Sequence, residues 1–442
     1  MIHDLTSQGV FIHECPLAGE RRMDGIYPAH PNGAQASRTR FLIVYATRSN
    51  RGVDDDLSIV YQLRAGSYDG PVLAERVVAK SVNDWHAFDD DRVFVRQHGH
   101  PCVFGVPKGA VVNGRPAPSA GVFAILWRRA ARELDPATGL MRRHISPMGV
   151  DERAQGTEWT QVRLSDDENS IEVVQPMQLM RQTGYEGGPR ISNMDAPWMI
   201  QSYTQPVPFN EDGTEWAGLN NFGGGRIAAL KYRFIASTSR YEWAETGQPI
   251  AANHFEPSLA PYRDGWVISA RPFDAEPVHW MRTDDPFREA PKVVLGPEPI
   301  GRTPLTLFRY GDGQLRLMAG DRDASPYGLP RNPLYLWDVD PDRDFALSNR
   351  RVVYDTLAMG LPIPQEASPV VDMAKALPHA GGDRQVILHR VRSRRTRDTT
   401  HRPSDGTTFI AAPITPVEEA VSGIYAVSVR YTEPQAPMWE FD

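Results

Sequence analysis

Three stretches of this chain hold side chains able to move a proton or hold an anion. In HFEPSLAPYRDGWVISARP, His254 and Glu256 stand before a proline, and Arg271 ends the second of two apolar runs. An imidazole and a carboxylate so close together suit acid–base work, because imidazole titrates near neutrality. Strand pairing would carry Arg271 back toward Glu256, where its planar fork matches carboxylate oxygens. In RSNRGVDDDLSIVYQLR, Arg48 ends one apolar run, and Asp54, Asp55 and Asp56 fill the loop before the next. Adjacent carboxylates repel, so a member kept protonated at neutral pH would serve as a general acid. In HGHP, His98 and His100 flank a glycine. Zinc would need further ligands at fitting spacing, and none follows.

Residues so scattered act together only if the fold converges them. Six places share one local grammar: a polar or aromatic residue, a proline, a short apolar run, usually a turn, and a second apolar run. They are GIYPAH at Pro28, HGHPCVFGV at Pro101, NMDAPWMI at Pro197, HFEPSLAPY at Pro257, GRTPLTLF at Pro304 and EASPVVDM at Pro369. Proline lacks the ladder donor and fixes its own backbone angle, so it fits the first residue of a strand. AspGly in YRDGWVISAR and YGDGQLRLMAGD marks hairpin turns. LSIVYQLR, IEVVQPM, ALKYRFIAST, PLYLWDVD and GIYAVSVRY read as further strands, and helical patterning is weak.

The expected fold is all-β, and unequal units of about four strands each fit a β-propeller, whose radial closure protects strand edges. The units predict six blades. Seven is the alternative, with an extra blade in the long interval between Pro101 and Pro197. Residues 1–442 would form one propeller domain, with GVFIHEC near the N-terminus completing the last blade beside GIYAVSVRY. The residue ahead of each innermost strand would then face a shared axial pocket. That position gives Tyr27, His98 and His100, Asp195, His254 and Glu256, Arg302, and Glu366 with Ser368. The mixture suits a polar ligand and proton transfer.

Bulk properties bound the partner. The 442 residues are 41% hydrophobic and 23% charged, with a formal charge of −7, which describes an ordinary folded chain with no pull toward nucleic acid. No apolar run is long enough to span a bilayer, so no membrane partner is expected. MIHDLTSQGVFIHECP lacks the pattern of a secretion signal, which makes cytoplasmic residence the expectation. Cys15 and Cys102 read as small buried hydrophobes. Walker loops, dinucleotide fingerprints and calcium loops are absent, so no cofactor or metal is called for.

The order and spacing of these units resemble the six-bladed sialidase superfamily of neuraminidase-like propellers. The resemblance implies a general-acid aspartate in the loop of RGVDDDLSIVYQLR, at Asp55 or Asp56. It assigns Glu256 and Arg271 in NHFEPSLAPYRDGWVISAR, and it implies a carboxylate-binding arginine at Arg331 in LPRNPLYLWDVD. The chain departs from that family where a nucleophilic tyrosine opens the last blade. EASPVVDM has none there, and Tyr354 stands too early.

The expected function is a glycoside hydrolase that cleaves a terminal, anionic sugar from an oligo- or polysaccharide by carboxylate acid–base catalysis. The alternative is a lyase on a uronate-containing glycan, in which His100 or His254 is the base and an arginine clamps the carboxylate. This arrangement resembles propeller polysaccharide lyases of the ulvan-degrading kind, and that resemblance implies Tyr27 as the assisting tyrosine. A glycan-binding propeller without catalysis is the third reading. Trp85, Trp216 and Trp337 are aromatic candidates for stacking on a sugar face.

Overall fold

The computed structural model describes residues 2–13, 27–48, 56–85, 92–133, 155–183, 200–201, 204–222, 226–250, 254–272, 277–288, 292–296, 300, 303–309, 311–361, 367–395, 399–401, 409–411 and 422–442. Their regular structure is antiparallel strand, apart from one short 3-10 turn at Pro341–Arg343. Asp312 shows how the AspGly signals work. Its carboxylate accepts from the Gln314 amide at 3.0 Å, and Gly313 takes φ of 81°, a region open to a residue without Cβ.

Six sheets of four or five strands follow one another along the chain, and a small three-stranded sheet joins Ala110–Val112, Arg115–Pro116 and Glu440–Phe441. The architecture is a β-propeller of six or seven blades. The innermost long strands of the first, second, fourth, fifth and sixth sheets are Tyr27–Ser37, Phe94–Gly105, His254–Tyr262, Thr306–Arg309 and Ala367–Ala376. The interval between Pro101 and Pro197 supplies outer strands of the second sheet. LSDDENS forms the turn between Gln155–Leu164 and Ile171–Leu179. FAILWRRAARE lies in the strand Val122–Glu133. In the sixth sheet, Ile2–His13 pairs antiparallel with Gly423–Gln435, so both ends of the chain build it.

Apolar seams fill the space between successive sheets. Val44 and Trp127 meet between the first and second, and Phe104 and Trp216 between the second and third. Leu219 and Ile268, then Trp280 and Trp337, then Leu336 and Val427 continue the series. Ile43 with Leu388 joins the sixth sheet back to the first, which closes the circuit. Burial on both faces explains why the strands read as continuous apolar runs rather than strict alternation. Trp216 and Trp337 belong to these seams, at 4% and 5% exposure. The side chain of Trp85 lies outside the described residues.

Candidate functional site

The innermost strands share a device that the proline pattern only half reveals. Two residues bulge opposite one partner in each of four strands, between Ala29 and Asn32, Gly99 and Cys102, Phe255 and Ser258, and Asp372 and Lys375. The first bulged residue is left-handed each time: His30 at φ 52°, His100 at 52°, Glu256 at 46° and Met373 at 54°. A side chain in that region costs about 1–2 kcal/mol. The position recurs around the axis with three different chemistries, as befits bulges that re-aim side chains. Proline follows the bulged residue in three strands, at Pro31, Pro101 and Pro257.

This register corrects two of the proline units. In the first strand the counterpart of His100 and Glu256 is His30, not Tyr27, which pairs with Arg48 three residues earlier. In the last strand it is Met373, preceded by Asp372, rather than Ser368 beside Pro369. Sequence reading missed His30 although AHP repeats the grammar of GHP. It missed Asp372 because no proline follows Met373.

His30 and His100 stack with ring centroids 4.2 Å apart, and both are buried. Arg390 places Nη1 2.8 Å from His30 Nε2. A guanidinium can only donate, so Nε2 accepts and the His30 proton sits on Nδ1. The same arginine puts Nη2 2.6 Å from Asp372 Oδ1, and Arg331 Nη1 lies 2.5 Å from Asp372 Oδ2. Burial alone would raise the Asp372 carboxyl, but the two guanidiniums hold it below the usual carboxylate range. Sixth, first and second sheets thus contribute to one continuous polar cluster.

Glu256 and Arg271 meet as their hairpin demands, with Arg271 Nε 2.8 Å from Glu256 Oε2. His254 starts the same strand, and its side chain is outside the described residues. Lys375, in the strand of Asp372, stands in the field of both Glu256 and Cys102.

Other candidates fall elsewhere. His98 turns into the second sheet, where its Nδ1 is 3.3 Å from Glu158 Oε2. Arg96 and Arg129 also reach Glu158, at 2.7 and 3.0 Å, and Trp127 donates to it at 3.0 Å. Burial pushes the Glu158 carboxyl up, but His98 and the two arginines bring it down to about 2. This buried knot lies off the axis, and the structure does not bring His98 to the His30–His100 pair. Tyr354, the only tyrosine near the last blade's opening, packs 4.4 Å from His389 in a seam, and burial raises its hydroxyl pKa. Tyr27, Arg48 and Asp56 are neighbours across three strands of the first sheet, through the pairs Tyr27–Arg48 and Arg48–Asp56. Their side chains, and Asp55, Asp195 and Arg302 entirely, lie outside the described residues.

The fold is similar, distantly but consistently, to sialidase-like propellers. Trypanosoma rangeli sialidase in complex with the inhibitor DANA matches with a TM-score of 0.54 at 10% identity, over 92% of this chain and 55% of that one. A Hadza microbial sialidase matches with a TM-score of 0.51 at 12% identity, over 87% and 66%. A protein of unknown function from Dyadobacter fermentans matches with 0.51 at 10%, over 97% and 99%. This chain spans about half the length of the trypanosomal sialidase. No family model and no curated protein matches the sequence. The fold is thus a β-propeller similar to those of sialidases, and it holds a buried histidine–arginine–aspartate cluster.

Proposed function

We propose that the chain is a six-bladed, carbohydrate-processing propeller that binds a uronate-containing glycan at the head of its axis and cleaves it by elimination. The observation that carries this reading is the stacked His30–His100 pair anchored by Arg390. Glu256, the carboxylate that hydrolysis would use to activate water, is instead held in an ion pair with Arg271. Similarity to sialidases supports a carbohydrate ligand, and the arginines support an anionic one.

In the proposed reaction a neutral His100 takes the proton from the sugar carbon beside the carboxylate. The electron pair of that C–H bond forms a carbon–carbon double bond, and the glycosidic C–O bond on the next carbon breaks. Tyr27 is the candidate donor of a proton to the departing oxygen. Arg331, whose side chain is 30% exposed, is the candidate clamp on the substrate carboxylate. Neutralising that carboxylate lowers the cost of the carbanion-like charge that develops beside it.

The test is incubation with uronate-containing polysaccharides, following ultraviolet absorbance and new reducing ends together. Elimination raises both, because its product is unsaturated and conjugated. His100→Gln should slow the reaction by about 10²–10⁴-fold, the usual worth of a general base. New reducing ends with flat absorbance would overturn elimination and restore hydrolysis through Glu256 with Asp55 or Asp56. Affinity without turnover would leave a glycan-binding propeller.

A further inference from the structure

The strand that carries Asp372 also borders a cavity. Thr204, Ser258, Thr306 and Lys375 line this cavity of about 450 Å³, and Pro206, Leu259, Leu307, Phe308 and Leu377 supply much of its apolar wall. Its volume falls within the range of small-molecule sites. Three of the bordering residues are tied into the strands around them. Ser258 Oγ donates to Leu307 O at 3.1 Å and accepts from Leu307 N at 2.9 Å. Thr306 Oγ1 donates to Ala374 O at 2.6 Å, and Thr204 O accepts from Cys102 Sγ at 3.0 Å.

Lys375 is different. It is 6% exposed and lines the cavity, yet its ammonium makes no hydrogen bond or ion pair with any described residue. Burying a cation in that way is costly unless something compensates it. The other charged or titratable groups lining the cavity are Arg309 and His379; among the described residues no Asp or Glu does. Arg309 Nε is directed to Gly313 O at 3.1 Å, and His379 Nδ1 stands 3.1 Å from Ala436 O. Glu256 and Cys102 face Lys375 from the head of the axis, and burial lowers its pKa to about 8, which leaves it cationic at neutral pH. Exposed Ala436, Pro437 and Met438 form one rim.

We infer that this cavity is a second binding site, which takes a small apolar molecule ending in a carboxylate and uses Lys375 as its counter-ion. The carboxylate supplies the acceptors that the ammonium lacks, and the apolar walls cover the hydrocarbon. The site stands on its own residues and does not depend on the chemistry proposed at the head of the axis.

The probe is octanoate, titrated calorimetrically into the full chain at neutral pH beside 1-octanol, its neutral counterpart. One octanoate should bind per chain, and Lys375→Met should weaken it at least about tenfold while leaving octanol unchanged, since a charge-assisted bond is what the substitution removes. On the wild-type chain, octanoate should also protect Lys375 from acetylation by an N-hydroxysuccinimide ester, read by peptide mass spectrometry. That readout survives if the Lys375→Met chain does not fold. Met438→Trp, at the rim, should slow octanoate entry. Failure of octanoate to bind at millimolar concentration, unchanged acetylation, or equal weakening of octanol and octanoate would each overturn the site.

Discussion

At the head of the axis, buried charges are matched. Asp372 sits between Arg390 and Arg331, Arg390 extends to His30, and Glu256 holds Arg271. Lys375, by contrast, lines a largely apolar cavity that no described carboxylate lines, although it stands in the field of Glu256. The two regions share strands, and Asp372 and Lys375 stand on either side of one bulge. A few residues of one strand therefore separate a neutralised polar network from an ammonium that has no hydrogen bond or ion pair among the described residues. Matching at one end preorganises a site, and mismatch at the other leaves room for a ligand to complete it.

The largest effect that would break this comparison is expected at Asp372. Asp372→Asn leaves two guanidiniums without their shared carboxylate and should cost about 3–5 kcal/mol in urea unfolding. A loss below about 1 kcal/mol would mean that the head of the axis is not held by its ion pairs. Lys375→Met should move in the opposite direction. The lysine's folded pKa of about 8 lies below its ordinary 10.5, so the unfolded chain binds the extra proton between those values. Wild-type stability relative to Lys375→Met should accordingly be lowest below pH 8 and rise toward pH 10.5, by roughly 3 kcal/mol in all. A flat difference across that window would show that Lys375 is already paired.

Between the two regions, Ser258→Ala removes both bonds to Leu307 and should cost about 1–3 kcal/mol, with the buried amide left unsatisfied. An effect near zero would mean that the border between the two regions carries no structural weight. Arg263→Ala supplies the baseline. Its partner Asp342 lies at the surface, and the change should stay within about 1 kcal/mol, as exposed pairs do. A larger loss there would remove the contrast between buried and surface pairing.

Much of the architecture was legible because its signals are local. AspGly turns, apolar runs and the Glu256–Arg271 relation all lie within single hairpins, where strand pairing fixes geometry. His100 was found because a proline follows it. What escaped depends on closure of the ring. Arg390 meets His30 across 360 residues of sequence, and no local pattern announces that contact. Lys375 reads as an ordinary polar residue in PVVDMAKALP, since nothing in the string shows that its strand borders a cavity. The misplacement at Pro28 has a plain origin: two prolines stand three residues apart in YPAHP, and only strand register distinguishes them.

The left-handed bulge carries a consequence for how such a molecule can change. Four strands hold imidazole, imidazole, carboxylate and thioether on nearly the same backbone torsion, with φ from 46° to 54°. The scaffold at these points tolerates different functional groups without needing a new main-chain shape. A lineage can therefore change the side-chain chemistry gathered there by single codon replacements at a handful of interchangeable sockets, while the strands that frame them stay as they are.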